Sequence, residues 1–342
     1  MTKEFLSTVV AISRYMRNGF SEGKRSRWRP HWWILVCAGI FFVSGSGCTK
    51  TESFYTSKSV MMGTFVEVQS AHPEAGGIVF AEFKKAEKLF SKYMPQSDIG
   101  RLNRDGRATV DPQTIALIKK AGEFFRSSQG AFDITVGPLI DLWGFTDRKY
   151  RVPSEDEITR ALALVGYEKI SIDETQNVVE FSIPGMKIDL GGIAKGYALD
   201  CAVRALKDKG ITSCLINAGG QVYCLGTNKG EPWKVAIKDP RREGVIDYLE
   251  VSDASVATSG DYEQYFLTGN IRYSHILDPR TGYPADNNIV SVTIVSPDAT
   301  SADALSTAVF VLGKEKGLEV AGSFGRVRAY IFEETDIIAD SF

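Results

Sequence analysis

The chain has 342 residues, of which 44% are hydrophobic and 24% charged, and its formal net charge is −2. This balance is that of an ordinary globular protein, and it excludes a disordered chain, a collagen and a polytopic membrane protein. The near-neutral total also excludes a chain that binds nucleic acid through a high overall positive charge.

The charge is unevenly spread. Residues 1–47 hold seven basic and two acidic residues, a net charge of +5, so the remaining residues carry −7. The uncharged run at 32–43 is shorter than the roughly 20 residues of a membrane-spanning helix, but it suits the apolar part of a signal sequence. We therefore expect residues 1–47 to be a signal peptide.

Cys48 follows the small residues 44–47, an arrangement that resembles a bacterial lipoprotein signal, in which the cysteine is lipidated and becomes the mature N-terminus. Gly45 departs from that pattern, because Leu or Val usually stands three residues before the cysteine. The alternative is an uncleaved N-terminal anchor. Either case predicts an exported, extracytoplasmic protein held at a membrane surface, and the choice between inner and outer membrane stays open.

After a polar tether at 48–58, we expect one domain at 59–342. Amphipathic spacing predicts helices, the pair Ser154 and Glu157 predicts a capping box, and Gly210 marks a helix end. The predicted helices are 76–93, 112–125, 154–165, 192–209, 300–312 and 314–321. The predicted strands are 60–69, 178–183, 186–190, 211–217, 221–225, 234–238, 245–251, 255–258, 289–296 and 326–332.

Two conclusions follow from these elements. Helices and strands alternate without βαβ regularity, so the fold class is α+β with mixed or antiparallel sheets and packed helices. The strands 178–183 and 186–190 are expected to form a hairpin across residues 184–185.

The domain's three cysteines, Cys201, Cys214 and Cys224, are expected to be small buried residues, with a disulfide between the last two as the alternative.

A glycine turn opens one predicted helix. A strand ends at Asp189, two glycines follow, and Lys195 stands in the first turns of the helix. Glycines let backbone amides approach a ligand, and a helix N-terminus favours an anion. A tight turn with a solvated lysine explains the same residues equally well.

Three other segments carry chemically useful residues. Asp303 and Thr307 are four residues apart, so a helix places their oxygens on one face, where they suit Mg²⁺ or Ca²⁺; a carboxylate near a helix start is the plainer explanation. His275 precedes a turn and is a candidate general base, although a lone histidine there is more often structural. The aromatic segment 130–145 suits the wall of a pocket for a flat ring or the protein core.

The residue sequences of eight motifs, together with their order along the chain, are more specific than any single motif. They are MGT at 62–64, SKYMPQSDIGRLN at 91–103, GAFDITVGPL at 130–139, DLGGIAKGYALD at 189–200, NAGG at 217–220, TSGDYE at 258–263, HILDPRTG at 275–282 and ADALSTA at 302–308. Together they closely resemble the ApbE family of FAD:protein FMN transferases, over nearly the whole domain from about residue 61.

The resemblance implies an α+β fold with an FAD cleft and a Mg²⁺ ion at the FAD pyrophosphate. A Thr or Ser hydroxyl of an acceptor protein attacks the FMN phosphorus, FMN is left covalently on the acceptor, and AMP departs. Typical acceptors are flavin-carrying subunits of membrane redox complexes.

The resemblance also implies roles for individual residues. The implied metal ligands are Asp303, Thr307 and the backbone of Gly192, with Ser306 as a further contributor. His275 and Asp303 are the implied catalytic residues. The implied FAD contacts are Met62, Tyr93, Ala131, Phe132, Asp133, Asp189, Lys195, His275 and Ile276.

Two alternatives to transfer remain open. One is an FAD pyrophosphatase, in which water replaces the acceptor and free FMN and AMP are released. The other is a non-enzymatic FAD-binding lipoprotein, against which the pair Asp303 and Thr307 argues, because simple binding needs no metal at the scissile bond.

Overall fold

The computed structural model describes residues 54–334, which all fall within one compact unit. The predicted signal peptide and Cys48 lie outside these residues. None of the helices in the described part combines the length and apolar character that a membrane crossing needs. Residues 54–334 contain eight α-helices: α1 Ala75–Phe90, α2 Asp98–Asp105, α3 Pro112–Ser127, α4 Gly137–Leu142, α5 Glu155–Leu162, α6 Ala194–Asp208, α7 Ala299–Leu312 and α8 Lys314–Ser323.

Fourteen strands accompany these helices in the described residues. They are β1 Tyr55–Met61, β2 Thr64–Ser70, β3 Arg107–Thr109, β4 Ile170–Asp173, β5 Val178–Phe181, β6 Cys214–Ala218, β7 Gln221–Leu225, β8 Trp233–Lys238, β9 Val245–Val251, β10 Ala254–Gly260, β11 Tyr265–Thr268, β12 Ile271–Ser274, β13 Ile289–Ser296 and β14 Arg328–Glu333.

A seven-stranded antiparallel sheet in the order β1-β2-β6-β7-β10-β13-β14 forms the centre of the fold. One face packs against α1, α6 and α7 in the main core, and the other packs against the hairpin β8–β9 in a second core. Because central strands are covered on both faces, β7 and β13 are buried along their whole length, including the polar residues that they contain. The predicted α+β fold class is confirmed.

The two faces of this sheet also separate two cysteines. Cys214 is opposite Leu225 in the pairing of β6 with β7, while Cys224 is opposite Leu215. Cys214 therefore faces the main core and Cys224 the second core. Both thiols are free, and burial raises the pKa of each to about 12. The expectation of buried thiols is confirmed for these two residues, and the alternative disulfide is wrong.

One predicted strand and the predicted tether are corrected by the structure. The single strand 60–69 is a hairpin, because Met62 and Gly63 adopt φ of 49° and 73° and reverse the chain between β1 and β2. Strand β1 begins at Tyr55, so the predicted tether at 48–58 overlaps the sheet. Met62 donates its backbone N–H to Glu87 Oε1 at 2.8 Å, which ties this turn to α1.

The hairpin predicted across residues 184–185 is wrong. Strand β5 pairs with β3 and β4 instead, in a separate three-stranded sheet. The following segment 186–190 joins no strand. The side chain of Asn103, on α2, accepts from Ile188 N at 2.7 Å and donates to Ile188 O at 2.8 Å, so the backbone polar groups of Ile188 are satisfied without a strand partner.

Helix ends are predicted better than irregular segments. The capping box of Ser154 and Glu157 is present, and Gly210 has the left-handed φ of 74° that ends a helix. The short helix α2 and the hairpin β11–β12 were not predicted. That hairpin packs onto a third small core around Trp143, where aromatic contacts across chain segments stabilise it.

Candidate active site

The glycine turn before α6 is the centre of the site. Asp189 N donates to Ile134 O at 2.7 Å, and Asp189 Oδ1 accepts from Gly191 N at 2.7 Å, which closes the turn. A β-carbon built on Gly192 would lie 3.2 Å from Phe132 Cε2 and 3.3 Å from Thr307 Oγ1. The turn therefore brings together three segments that are far apart in sequence.

Helices α6 and α7 run antiparallel beside this turn. Gly192 lies near Thr307, and one turn later Gly196 N donates to Asp303 Oδ2 at 3.0 Å. At the far end, Asp200 accepts from the amides of Ala299 and Thr300 at 2.8 and 2.9 Å. A single helix pair therefore fixes the positions of Asp303 and Thr307 relative to the turn.

Asp303 is buried to 6% exposure and carries two kinds of contact. Its Oδ2 is bound by the backbone of α6, whereas its Oδ1 faces Lys195 Nζ at 3.3 Å. Lys195 Nζ also lies 3.3 Å from Gly191 O. The predicted ligand and the predicted anion-binding lysine are therefore neighbours at the same turn.

Hydroxyl groups surround the C-terminal half of α7. Ser306 Oγ donates to Asp303 O at 2.8 Å, and it lies 2.8 Å from Ser259 Oγ, whose second neighbour is Thr307 Oγ1 at 3.4 Å. Ser306 is 1% exposed and its proton is already committed to a carbonyl. Thr307 is only partly buried and keeps more freedom for a ligand than Ser306 does.

The segment 131–133 contributes the aromatic ring of Phe132 and a loop that the Asp133 carboxylate holds in place. Asp133 Oδ1 accepts from Thr135 N and Thr135 Oγ1 at 2.8 and 2.7 Å, and Oδ2 accepts from Tyr167 N at 3.1 Å. Burial raises the pKa of Asp133 to about 6 although these bonds lower it. Its carboxylate thus holds the local loop, while Phe132 lies against the glycine turn and Ala131 is buried beside it.

His275 is anchored by its own hairpin. Its backbone N–H donates to Gln264 O at 3.0 Å, and its ring Nδ1 lies 3.0 Å from the same oxygen. Because a carbonyl oxygen only accepts, Nδ1 must carry the hydrogen, which leaves Nε2 with a lone pair. Burial lowers the pKa of His275; Lys195 lowers it further and Asp189 raises it, so both residues lie within electrostatic reach.

The remaining predicted contacts are spread around the site. Ile276 is 6% exposed and packs in the main core. Tyr93 is 67% exposed at the surface. Met62 is partly buried in the turn between β1 and β2. Met62 is bound through its backbone N–H to Glu87 of α1, and the Tyr93 ring lies beside Lys92 Nζ.

Two residues of the site were not assigned from the sequence. Lys92 Nζ lies 2.7 Å from Asp189 Oδ2, and Ser259 touches Ser306 and Thr307. Both lie inside motifs that carry the family resemblance, at 91–103 and 258–263, and this was their only sequence signal.

Two surface cavities lie elsewhere. One, of about 390 Å³, is lined by α6 residues such as Arg204 and Lys207, and the other, of about 460 Å³, lies along α3. Neither is lined by a residue predicted to contact FAD. Among the described residues, no group of three or more His, Cys, Asp and Glu side chains could hold a metal ion. The metal ligands implied by the family resemblance include a single carboxylate, that of Asp303. They would therefore not form a group of this kind.

The model of the ApbE family matches residues 62–331, which include every residue of this site. The chain belongs to the ApbE family. The resemblance carried by the eight motifs is thereby confirmed.

Relatives with determined structures share the fold. The chain is similar to the ApbE protein from Thermotoga maritima, with 39% identity, a TM-score of 0.75, and coverage of 84% of this chain and 99% of that one. It is also similar to the flavin transferase ApbE from Vibrio cholerae, with 31% identity, a TM-score of 0.75, and coverage of 83% and 94%.

A curated relative is named as an enzyme. The FAD:protein FMN transferase of Klebsiella pneumoniae is 36% identical over 297 residues, which cover 84% of this chain and 92% of the relative. The predicted enzyme class, a transferase, is confirmed.

Proposed function

We propose that this ApbE family protein transfers FMN from FAD to a Thr or Ser hydroxyl of an acceptor protein and releases AMP, in a Mg²⁺-dependent reaction. The observation that carries the proposal is the junction of α6 and α7. There Asp303, Thr307 and the Gly192 turn meet beside Lys195, so hard oxygen ligands and a cation adjoin one backbone turn.

The residues at this junction fit a magnesium ion. Among residues 54–334, the partner of Asp303 Oδ1 is Lys195, and Thr307 Oγ1 lies against Gly192, where a side chain would crowd the approach. The proposed ligands are Asp303, Thr307 and the Gly192 carbonyl, with Ser306 as a weaker fourth because its hydroxyl is committed to Asp303 O. When bound, the metal would neutralise charge on the pyrophosphate.

The chain's own groups then have defined tasks. Lys195 provides positive charge for the FAD pyrophosphate at the start of α6. His275 Nε2 takes the proton of the acceptor hydroxyl, whose oxygen forms the new bond to the FMN phosphorus. The bond between that phosphorus and the AMP phosphate oxygen breaks, and AMP leaves. Phosphoryl transfer needs positioning and charge neutralisation more than covalent catalysis, which agrees with a site of few ionisable groups.

The side chains proposed to surround the flavin or adenine rings are those of Phe132, Tyr93, Met62 and Ile276. Asp133 and Ala131 would act through the loop that presents Phe132. The proposed acceptors are flavin-carrying subunits of membrane redox complexes.

The test is incubation of the purified enzyme with FAD, Mg²⁺ and an acceptor, followed by mass spectrometry of the acceptor and quantification of AMP. We expect equal amounts of AMP and covalent FMN. Asp303→Asn should lower the rate by about 100-fold or more, while its amide oxygen can still accept from Gly196. Free FMN without an adduct would show a pyrophosphatase, and intact FAD would show a binding protein.

We also propose that the protein is exported and anchored through a lipid on Cys48, which its sequence alone supports. Metabolic labelling with palmitate in cells tests this. Label should enter the wild type and be lost in Cys48→Ala, with Cys37→Ala as the matched control that keeps it. Label that survives in Cys48→Ala would contradict the anchor.

A further inference from the structure

We propose that Lys92 is a positioning residue of the transfer site: it holds Asp189 against the glycine turn and cancels its charge beside the bound dinucleotide. This inference rests on the proposed function and deepens it. Lys92 follows the C-terminal end of α1, two residues after Phe90.

Asp189 has both oxygens engaged by different parts of the chain. Its Oδ2 pairs with Lys92 Nζ at 2.7 Å, and its Oδ1 accepts from Gly191 N at 2.7 Å. The exposed fractions of the two side chains are 15% for Lys92 and 13% for Asp189. Water therefore screens this pair poorly, and its geometry fixes the turn that contains Gly192.

Lys92 is itself held from a second side. Its ammonium donates to Thr146 Oγ1 at 3.0 Å, and Thr146 donates in turn to Asp141 Oδ1. Asp141 Oδ2 is paired with Lys187 at 2.6 Å. A chain of alternating charges and one hydroxyl thus leads from the protein surface to the turn, and it fixes the lysine in a single position.

The charges near the turn balance only when Lys92 is counted. Asp189 and Asp303 carry two negative charges, and Lys195 and Lys92 carry two positive ones. Burial lowers the pKa of Lys92, but Asp189 outweighs this effect and raises it above the usual value, so the lysine stays charged. Without Lys92, an uncompensated carboxylate would lie beside the site of an anionic pyrophosphate.

The loss of Lys92 would also change the pKa of His275. The charged groups that face this imidazole are Lys195, which lowers its pKa, and Asp189, which raises it; its other neighbours are the Gln264 carbonyl and the Phe145 ring. An unpaired Asp189 would raise the pKa of His275 more strongly than the present ion pair does. The acid limb of the pH profile would then move to higher pH.

The experiment compares Lys92→Met, Lys92→Arg, Asp189→Asn and the double variant Lys92→Met/Asp189→Asn in the full enzyme. FAD affinity is measured by flavin fluorescence without acceptor, and kcat and KM by FMN transfer across pH 5–8. Lys119→Met is the control, because Lys119, which lies on α3, forms an exposed pair with Glu174. Thermal unfolding checks that each variant is folded.

We expect Lys92→Met to weaken FAD binding about tenfold and to shift the acid limb upward, while Lys92→Arg and Lys119→Met stay within about threefold of wild type. In the Asp189→Asn background, loss of Lys92 should have little further effect. An unchanged affinity and pH profile in Lys92→Met, or the same tenfold loss in both backgrounds, would overturn the proposal. If wild type binds FAD but releases no AMP, the proposed function fails, while the binding comparison still decides the role of Lys92.

Discussion

At the scale of single residues, the direction of one hydrogen bond determines the tautomer of His275. The Gln264 carbonyl requires a hydrogen on Nδ1 of His275, which directs the basic lone pair of Nε2 away from that carbonyl. A lowered pKa keeps this imidazole neutral at pH 7. A neutral imidazole with a fixed tautomer is the form that a general base needs.

The pH dependence of transfer should show this state. For the wild type we expect kcat/KM to be level above pH 7 and to fall only below the usual histidine pKa of 6.5, because protonation of Nε2 removes the base. His275→Gln should lose about 100-fold in rate and the acid limb with it. The control is His72→Gln, since His72 is a surface residue paired with Glu74. Wild-type rates in His275→Gln would refute the base assignment.

A second residue-scale prediction concerns stability. The pKa of Asp133 is raised from 3.8 to about 6 in the folded state. Its stabilising contribution to the folded state is therefore fully present below pH 3.8 and is lost as the pH rises through about 6. The difference is on the order of 3 kcal/mol in the free energy of unfolding. Urea unfolding of wild type and Asp133→Asn at pH 4 to 7 measures it. Parallel pH profiles for the two proteins would contradict it.

At the scale of elements, the close approach of α6 and α7 assembles the proposed metal ligands. The contact depends on Gly196, since a β-carbon there would lie 2.2 Å from Ala299 O. The same glycine donates its amide to Asp303. Helix packing and ligand orientation therefore depend on a single residue without a side chain.

Gly196→Ala tests this dependence. We expect it to destabilise the fold by about 3 kcal/mol, because backbone atoms must move apart, and to lower FMN transfer as Asp303 shifts. Gly77→Ala on α1 is the matched control: nothing lies within 4 Å of its β-carbon position. This change should stabilise by about 0.5–1 kcal/mol. Equal effects of the two changes in denaturant unfolding would rule out the packing argument.

At the scale of the whole molecule, an acidic body is proposed to bind an anion. Residues 48–342 carry a net charge of −7, so the overall field does not attract FAD. Lys195, the backbone of the glycine turn and a bound metal would have to provide local attraction. The antiparallel sheet contributes to this site by placing Ser259 of β10 against Ser306 of α7.

Metal removal tests this view of the whole site. Excess EDTA should stop AMP release and weaken FAD binding, because the pyrophosphate then faces Asp303 without compensation. Added Mg²⁺ should restore both in the wild type but not in Asp303→Asn. Full activity in excess EDTA would show that the reaction proceeds without a divalent cation.

The sequence could predict features whose cause is local. Ser154 and Glu157 are three residues apart, Gly210 follows an amphipathic run, and both helix ends are as expected because the stabilising groups lie within a few residues. The irregular segment 186–190 was assigned wrongly, because Asn103, its hydrogen-bond partner, is 85 residues away from Ile188. Alternating apolar residues describe a strand, but they do not tell which segment will satisfy its backbone.

The sequence by itself determined the family, the order of the motifs and the residue types that suit a pyrophosphate and a hard cation, since these depend on chemistry written in short segments. Only the tertiary structure decided which of those residues meet. It placed Gly192 against Thr307 and Lys195 against Asp303, and it bound the Asp133 carboxylate within its own loop. It also brought Lys92 to Asp189, because an ion pair between residues 97 positions apart forms through packing and not through spacing.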